Sequence, residues 1–330
     1  MSRRTMLDRE PPTVVSNTPT IPQRASRLPR KLRFPILLIL NFWLRTALWT
    51  TTTNLLGQEL GTVSRNENDN VHVLARTAYR IGFVLFTWKR GYDWIDVSAL
   101  SVLVHIPYLY LLNTYFGVSS LTVAAFCANE VVSLALPTFL LRPRAPLHNP
   151  NVPLRNRFLL DSFQVQTSTA ILAISVYATV IWSAVKTGVL NKFLVTHFDV
   201  RSVEDAYTET PVSIIVKVAF AGFAARTFLL NPSIGAQTAP ESAEVNKFDP
   251  ATATLSETLQ YNFWYFSKRT KTLIRRSAVI SAFMFVETVA RTSTLSEFDL
   301  TGAMGYAGLW VFATLCTSAW WVWVGETDKA

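Results

Sequence analysis

Apolar runs of about twenty residues recur along this chain, and a helix of that length matches the roughly 30 Å hydrocarbon core of a bilayer. Eight stretches qualify: 34–53, 71–88, 97–116, 119–141, 167–187, 211–230, 274–292 and 302–324. With no water at that depth, a spanning segment must satisfy its own backbone N–H and C=O groups, as a helix does. The pattern predicts an all-α, polytopic transmembrane helical bundle over residues 34–330. Composition agrees: half the residues are apolar and only 16% are charged, against about a quarter charged in soluble domains.

Two of the eight stretches carry internal charge, Arg45 in 34–53 and Arg76 with Arg80 in 71–88, while 274–292 opens on Arg275 and Arg276. Charge counting decides how to treat them. With all eight spanning and the N-terminus cytosolic, 21 Lys/Arg fall on the cytosolic side and four, including Arg291, on the other; six lie within the spans. That asymmetry is what the positive-inside rule requires. If only one of 34–53 and 71–88 spans, the basic tail moves to the wrong side. The two therefore span together or fail together, which gives eight spans, or six as the alternative, with both termini cytosolic in either case.

Residues 1–33 read as a disordered basic cytosolic tail. Five prolines from Pro11 to Pro29 break any helix, and Arg24, Arg27, Arg30, Lys31 and Arg33 gather beside the first apolar run. Such a cluster favours anionic lipid headgroups. The formal charge of +9 lies between apolar runs and does not stripe one soluble face, which argues against nucleic-acid binding. The bilayer, and other membrane proteins, are the expected partners. The segment 249–273 starts with Asp249 and Pro250, a helix-start signal. It continues through Trp264 and Phe266 to Lys268, Arg269 and Lys271, which describes a cytosolic interfacial helix at the membrane surface; the rival is a cytosolic extension of the next span. The loop 142–153 holds four prolines and reads as extended and stiff, a linker or a contact surface.

Ionisable groups inside spans are costly and are functional candidates by default. Glu130, beside Asn129, sits near the middle of 119–141, and Glu287 lies deep in 274–292. Lys217, Arg226 and Arg45 are the candidate cations for them. Either the two carboxylates serve a proton or ion pathway, or they pair with these cations and fix which helices pack together; pairing is the easier solution. Ala221 with Ala225, and Ala303 with Ala307, permit close helix approach. Trp320, Trp321 and Trp323 read as an aromatic belt.

Catalytic motifs are absent: no phosphate-binding loop, His-Glu-x-x-His, nucleophile elbow or dinucleotide fingerprint occurs. The four histidines are scattered. Cys127 and Cys316 sit in separate apolar runs and behave as small hydrophobes, so neither a metal nor a cofactor is expected. The first apolar run begins at Phe34 without a small-residue cleavage site, unlike a signal peptide. These readings favour a non-enzymatic multi-pass protein of the endoplasmic reticulum or another endomembrane, organising membrane or binding protein partners through its cytosolic basic and aromatic surface. A transporter or channel using Glu130 and Glu287 is the alternative, and a membrane-embedded lipid enzyme a weaker one. For localisation, the mitochondrial inner membrane is the rival.

Overall fold

The computed structural model describes residues 28–64, 70–154, 156–200, 202–236, 254–256, 258, 266–295 and 299–326. Its helices are α1 (Arg30–Gly61), α2 (Asn70–Lys89), α3 (Trp94–Tyr115), α4 (Ser120–Leu141), α5 (Arg157–Asp161), α6 (Phe163–Lys186), α7 (Val189–His197) and α8 (Glu204–Thr208). Then α9 (Pro211–Ala225) passes through a π turn, Arg226–Leu230, into α10 (Asn231–Gly235), and α11 (Lys268–Thr292) and α12 (Leu300–Glu326) follow. Among the described residues the only strand-like pairing is an isolated antiparallel bridge between Ser64 and Leu295. The all-α prediction holds.

Among the described residues, six helices are long and apolar enough to cross a membrane: Lys31–Gly61, Trp94–Tyr115, Ser120–Leu141, Phe163–Lys186, Pro211–Gly235 and Leu300–Val324. The other two predicted spans, α2 and α11, are 20 and 25 residues long, about 30 and 37 Å at helical rise, but carry more charge.

An apolar run does not fix where a helix starts, because its first N–H groups still need acceptors. Asp93, Ser119, Ser162 and Ser267 supply them for α3, α4, α6 and α11, and Thr210 with Ser213 forms a reciprocal capping box on α9. Helix α1 runs well past residue 53. The hydroxyls of Thr50, Thr51, Thr52 and Thr53 each donate to the carbonyl four residues earlier, so this polar stretch is satisfied without leaving the helix. The span at 211–230 likewise extends to Gly235, because the π turn absorbs the register change before Pro232.

The stretch 249–253 and most of 257–265, including Trp264, lie outside the described residues, as do residues 1–27 of the tail. Lys268, Arg269 and Lys271, expected in an interfacial helix, instead form the first turn of α11. Ser267 caps that helix directly ahead of them, so this basic stretch belongs to the long helix. The 142–153 loop is not an extended linker: it makes a 3₁₀ turn at Pro146–His148 and wraps Arg157, which donates to the carbonyls of Pro146, Leu147, Asn149 and Val152.

Helix α3 is the axis of the bundle. It is apolar on all sides and buried along nearly its whole length, with Leu100, Leu103 and Leu111 fully enclosed, the mark of a helix surrounded by protein. Tyr306 of α12 donates to the carbonyl of Pro107 in α3 at 2.6 Å. The predicted small-residue contacts are present: Ala221, Ala225, Ala303 and Ala307 are all buried. Around the outside, Ile39, Leu55, Leu121, Ile171, Phe220 and Phe312 are exposed, an apolar belt suited to lipid. Of the three tryptophans closing α12, Trp321 packs inward while Trp320 and Trp323 face out.

The tightest approach is α6 on α9. A Cβ on Gly222 would stand 2.2 Å from Ile174 Cγ1 and 2.8 Å from its backbone nitrogen. Gly222→Ala is therefore expected to destabilise the bundle by about 1–3 kcal/mol through overpacking, whereas Gly308→Ala, which meets nothing within 4 Å, should not. Thermal unfolding of the two variants in detergent checks this; equal midpoints would contradict the close packing.

Candidate functional site

Five helices bring charged or polar side chains to one cluster. Glu130 of α4 is almost fully buried and accepts from three guanidinium groups. Arg45 of α1 reaches Oε1 at 2.9 Å, Arg291 of α11 reaches the same oxygen at 2.8 Å, and Arg80 of α2 reaches Oε2 at 2.7 Å. Arg291 also donates from Nε to Glu287 Oε1 at 2.7 Å, one turn back on its own helix. Arg80 is used at every nitrogen, with Nε on Asn41 Oδ1 at 3.1 Å and Nη2 on Ser133 Oγ at 2.9 Å. Asn41 in turn donates to the Ser133 carbonyl at 2.6 Å. Charge-assisted bonds of this kind are the strong ones, and here they link α1, α2, α4 and α11.

His105 of α3 completes the group. Its Nδ1 lies 2.7 Å from the carbonyl of Ser101, an acceptor only, so Nδ1 carries the hydrogen. Nε2 then faces inward, 3.3 Å from Glu287 Oε1 and 3.8 Å from Glu130 Oε2, yet it is buried without a hydrogen-bond partner. Beside it lies a small open cleft of about 60 Å³, lined by Arg45, Arg76, Arg80, Arg291, Glu287 and His105 together with the apolar Phe83, Val104 and Leu134. Arg76 reaches Ser293 Oγ at 3.4 Å.

Of the residues singled out from sequence, the structure brings Arg45, Glu130 and Glu287 together. Lys217 and Arg226 do not join them. Lys217 pairs with Glu209 and donates to Thr114 Oγ1 at 2.9 Å, because it sits only two turns into α9, next to that carboxylate. Arg226 lies at the π turn and donates from Nε to Thr169 Oγ1 at 3.2 Å. Asn129 points away from its neighbour Glu130 and ties α4 to α1 through Thr52 Oγ1 at 2.7 Å. Sequence reasoning missed Arg80, His105 and Arg291 as partners, and counted Arg291 among the charges on the non-cytosolic side. A signal existed: Arg76 and Arg80, like Glu287 and Arg291, are four residues apart and so share a helix face.

A second network closes one end of the bundle. Asp93 Oδ2 accepts from the Ala145 N–H at 3.0 Å and from His148 Nδ1 at 2.7 Å, while Oδ1 caps α3 through the Asp96 N–H. Arg276 of α11 grips the Asp96 carboxylate at 2.6 and 3.3 Å, donates to the Phe228 carbonyl in the π turn, and lies between the rings of Tyr92 and Phe228. Arg142 donates to the carbonyls of Thr87, Trp88 and Tyr92, where α2 ends. Asp93, Asp96 and His148 are close enough together to hold a metal ion, but their oxygens already accept from Arg276, His148 and backbone N–H groups. The guanidinium supplies the positive charge there. At the other end, His197 Nδ1 meets Asp299 Oδ2 at 2.5 Å and Tyr115 donates to Asn191 Oδ1 at 2.7 Å.

No protein-family model, curated protein or solved structure matches the chain, so the arrangement of these residues is the only guide to what they do.

Glu130→Ala leaves three guanidinium groups without their shared acceptor and is expected to cost about 3–5 kcal/mol, the scale for breaking a buried pair. Lys217→Ala should cost clearly less. Comparison of their unfolding midpoints checks this, and a tolerant Glu130→Ala would show that the cluster holds nothing. Burial raises the Asp93 carboxyl, but the bonds from His148, Asp96 and Ala145 outweigh it and hold it below the ordinary carboxylate range. A depressed carboxylate stabilises the fold above its unfolded value, about 3.9, and that stabilisation disappears as pH falls through the folded one. Stability of the native protein should therefore drop more steeply than that of Asp93→Asn as pH is lowered from about 5 to about 3, measured by thermal shift. Parallel curves would refute it.

Proposed function

We propose that the chain is an eight-span membrane protein with both termini on the cytosolic side, and that its mid-bundle cleft is a binding site for a polar solute which the protein carries. The single observation behind this reading is the cleft itself, a space bordered by the guanidinium groups of Arg45, Arg80 and Arg291. Charge at bilayer depth is expensive unless it is used. Internal pairing accounts for Glu130 and for Arg80, whose nitrogens are all committed. It does not account for Arg45, which commits only Nη2 and whose side chain is a third exposed.

The pathway reading of Glu130 changes accordingly. Its carboxylate is occupied by three cations and acts as the anchor that orients them; Glu287 borders the space. The network of Asp93, Arg142 and Arg276 closes the bundle at one end, and the cleft lies toward the other, where Arg76 is near the start of α2 and Arg291 near the end of α11. On the positive-inside count the closed end faces the cytosol. The bundle then resembles one state of an alternating-access carrier, shut on one side and entered from the other.

A membrane-organising role through a basic cytosolic surface keeps one specific observation, the cluster Lys268, Arg269, Lys271 and Arg275 on the opening turns of α11, placed to meet anionic headgroups. We place the protein in an endomembrane on the composition of its tail.

Two measurements test the reading. A reporter inserted after Gly61 should report the non-cytosolic side, and a cytosolic signal there overturns the eight-span arrangement. In a background of Cys127→Ala and Cys316→Ala, Ala290→Cys on the cleft wall should react with a neutral, hydrophilic maleimide in sealed vesicles. Failure to label it, with full labelling after denaturation, would overturn the solute-site reading.

A further inference from the structure

Charge chooses among polar solutes. Leaving Arg76 aside, three guanidinium groups (Arg45, Arg80, Arg291) surround two carboxylates (Glu130, Glu287) among the described residues, so the centre carries one positive charge more than its own anions neutralise. The surplus is not spread evenly. Arg80 has every nitrogen bonded, whereas Arg45 commits Nη2 alone and Arg291 commits Nε and Nη2. The nitrogens left over belong to the two arginines whose side chains are the more exposed of the three, and both border the cleft. A surplus cation in a low-dielectric wall attracts an anion strongly, because neither water nor salt screens it well.

We infer that the cleft binds an oxyanion, a phosphate or carboxylate group held between the uncommitted guanidinium nitrogens of Arg45 and Arg291. A guanidinium nitrogen gives such a group a strong, charge-assisted hydrogen bond. Glu130 holds both arginines through Nη2 and Glu287 holds Arg291 through Nε, which leaves Nη1 of Arg291 and Nε and Nη1 of Arg45 for the ligand. Cationic solutes are excluded by the same surplus. This inference rests on the solute-site reading above and names its ligand class. The oxyanion can come from free solute or from a phospholipid headgroup entering beside the lipid-facing α1, and the experiment separates the two.

Ala290→Cys in the cysteine-free background is labelled in sealed vesicles of neutral lipid with two methanethiosulfonates of opposite charge, sulfonatoethyl and trimethylammonioethyl, each rate being divided by its rate with a free thiol. The anionic reagent is expected to react about tenfold faster, the lower end of what a focused charge does to association rates, and Arg45→Gln should reduce that preference. Inorganic phosphate or succinate slowing the reaction identifies free oxyanion as the ligand. Slowing only in vesicles containing phosphatidate identifies the headgroup. Equal normalised rates, a cationic preference, or protection by none of these anions overturns the inference. In each of those cases, labelling by the neutral maleimide leaves the solute-site reading standing; loss of all labelling removes both.

Discussion

Glu130 sets the geometry of the bundle. One carboxylate, near the middle of α4, accepts from Arg45, Arg80 and Arg291, and so determines the relative depth and rotation of α1, α2 and α11 around it. In water such pairs contribute little, but away from water each unmet charge is costly, and an arrangement that satisfies all of them is strongly preferred over its neighbours. This matters most for α1 and α2. Only 11% of the most apolar part of α1 is buried in the bundle, so packing alone holds it weakly. Arg45, Asn41 and the Thr52–Asn129 bond are what attach it to α4.

The remainder of the fold is held differently. Where α6 meets α9, and α12 meets α7, glycines and alanines let backbones approach, and Gly222, Gly302 and Gly305 have no room for a Cβ. Dispersion over such close contacts is the main attraction available between helices in an apolar surround. The molecule thus combines helices packed closely on one another, as α3 is on α4, α9 and α11 and α6 is on α9, with a half in which charge joins α1 and α2 to α4 and α11. The cleft lies in the second half, because long side chains meeting across a gap fill space less completely than interlocking small ones.

The two ends differ as well. Arg276 and Arg142 fill the acceptors left by the π turn and by the end of α2, and Asp93 draws the Ala145–His148 loop onto the start of α3. A π turn leaves carbonyls without their usual partners. Here Arg276 takes one of them while gripping Asp96, so a local irregularity in one helix becomes a tie among α3, the α9–α10 junction and α11.

What the sequence determined by itself is what depends on local chemistry. Run length and hydropathy mark the long helices, whose exact starts are set by caps such as Asp93 and Ser162. Apolar surroundings around Glu130 and Glu287 require a cation for each. The choice of cation was legible only in part. Arg45 was identifiable by its depth, but Lys217 found the nearer Glu209 and Arg226 turned toward Thr169. Arg291, which the charge count puts on the non-cytosolic side, reaches back toward the middle of the bundle from the end of α11. Pairing depends on which helix faces meet and at what height, and those are set by packing among segments far apart in the chain, 161 residues for Arg291 and Glu130 and 180 for Arg276 and Asp96. Only the tertiary structure could decide that three arginines share one carboxylate, that His105 turns its free nitrogen toward them, and that a space remains beside them.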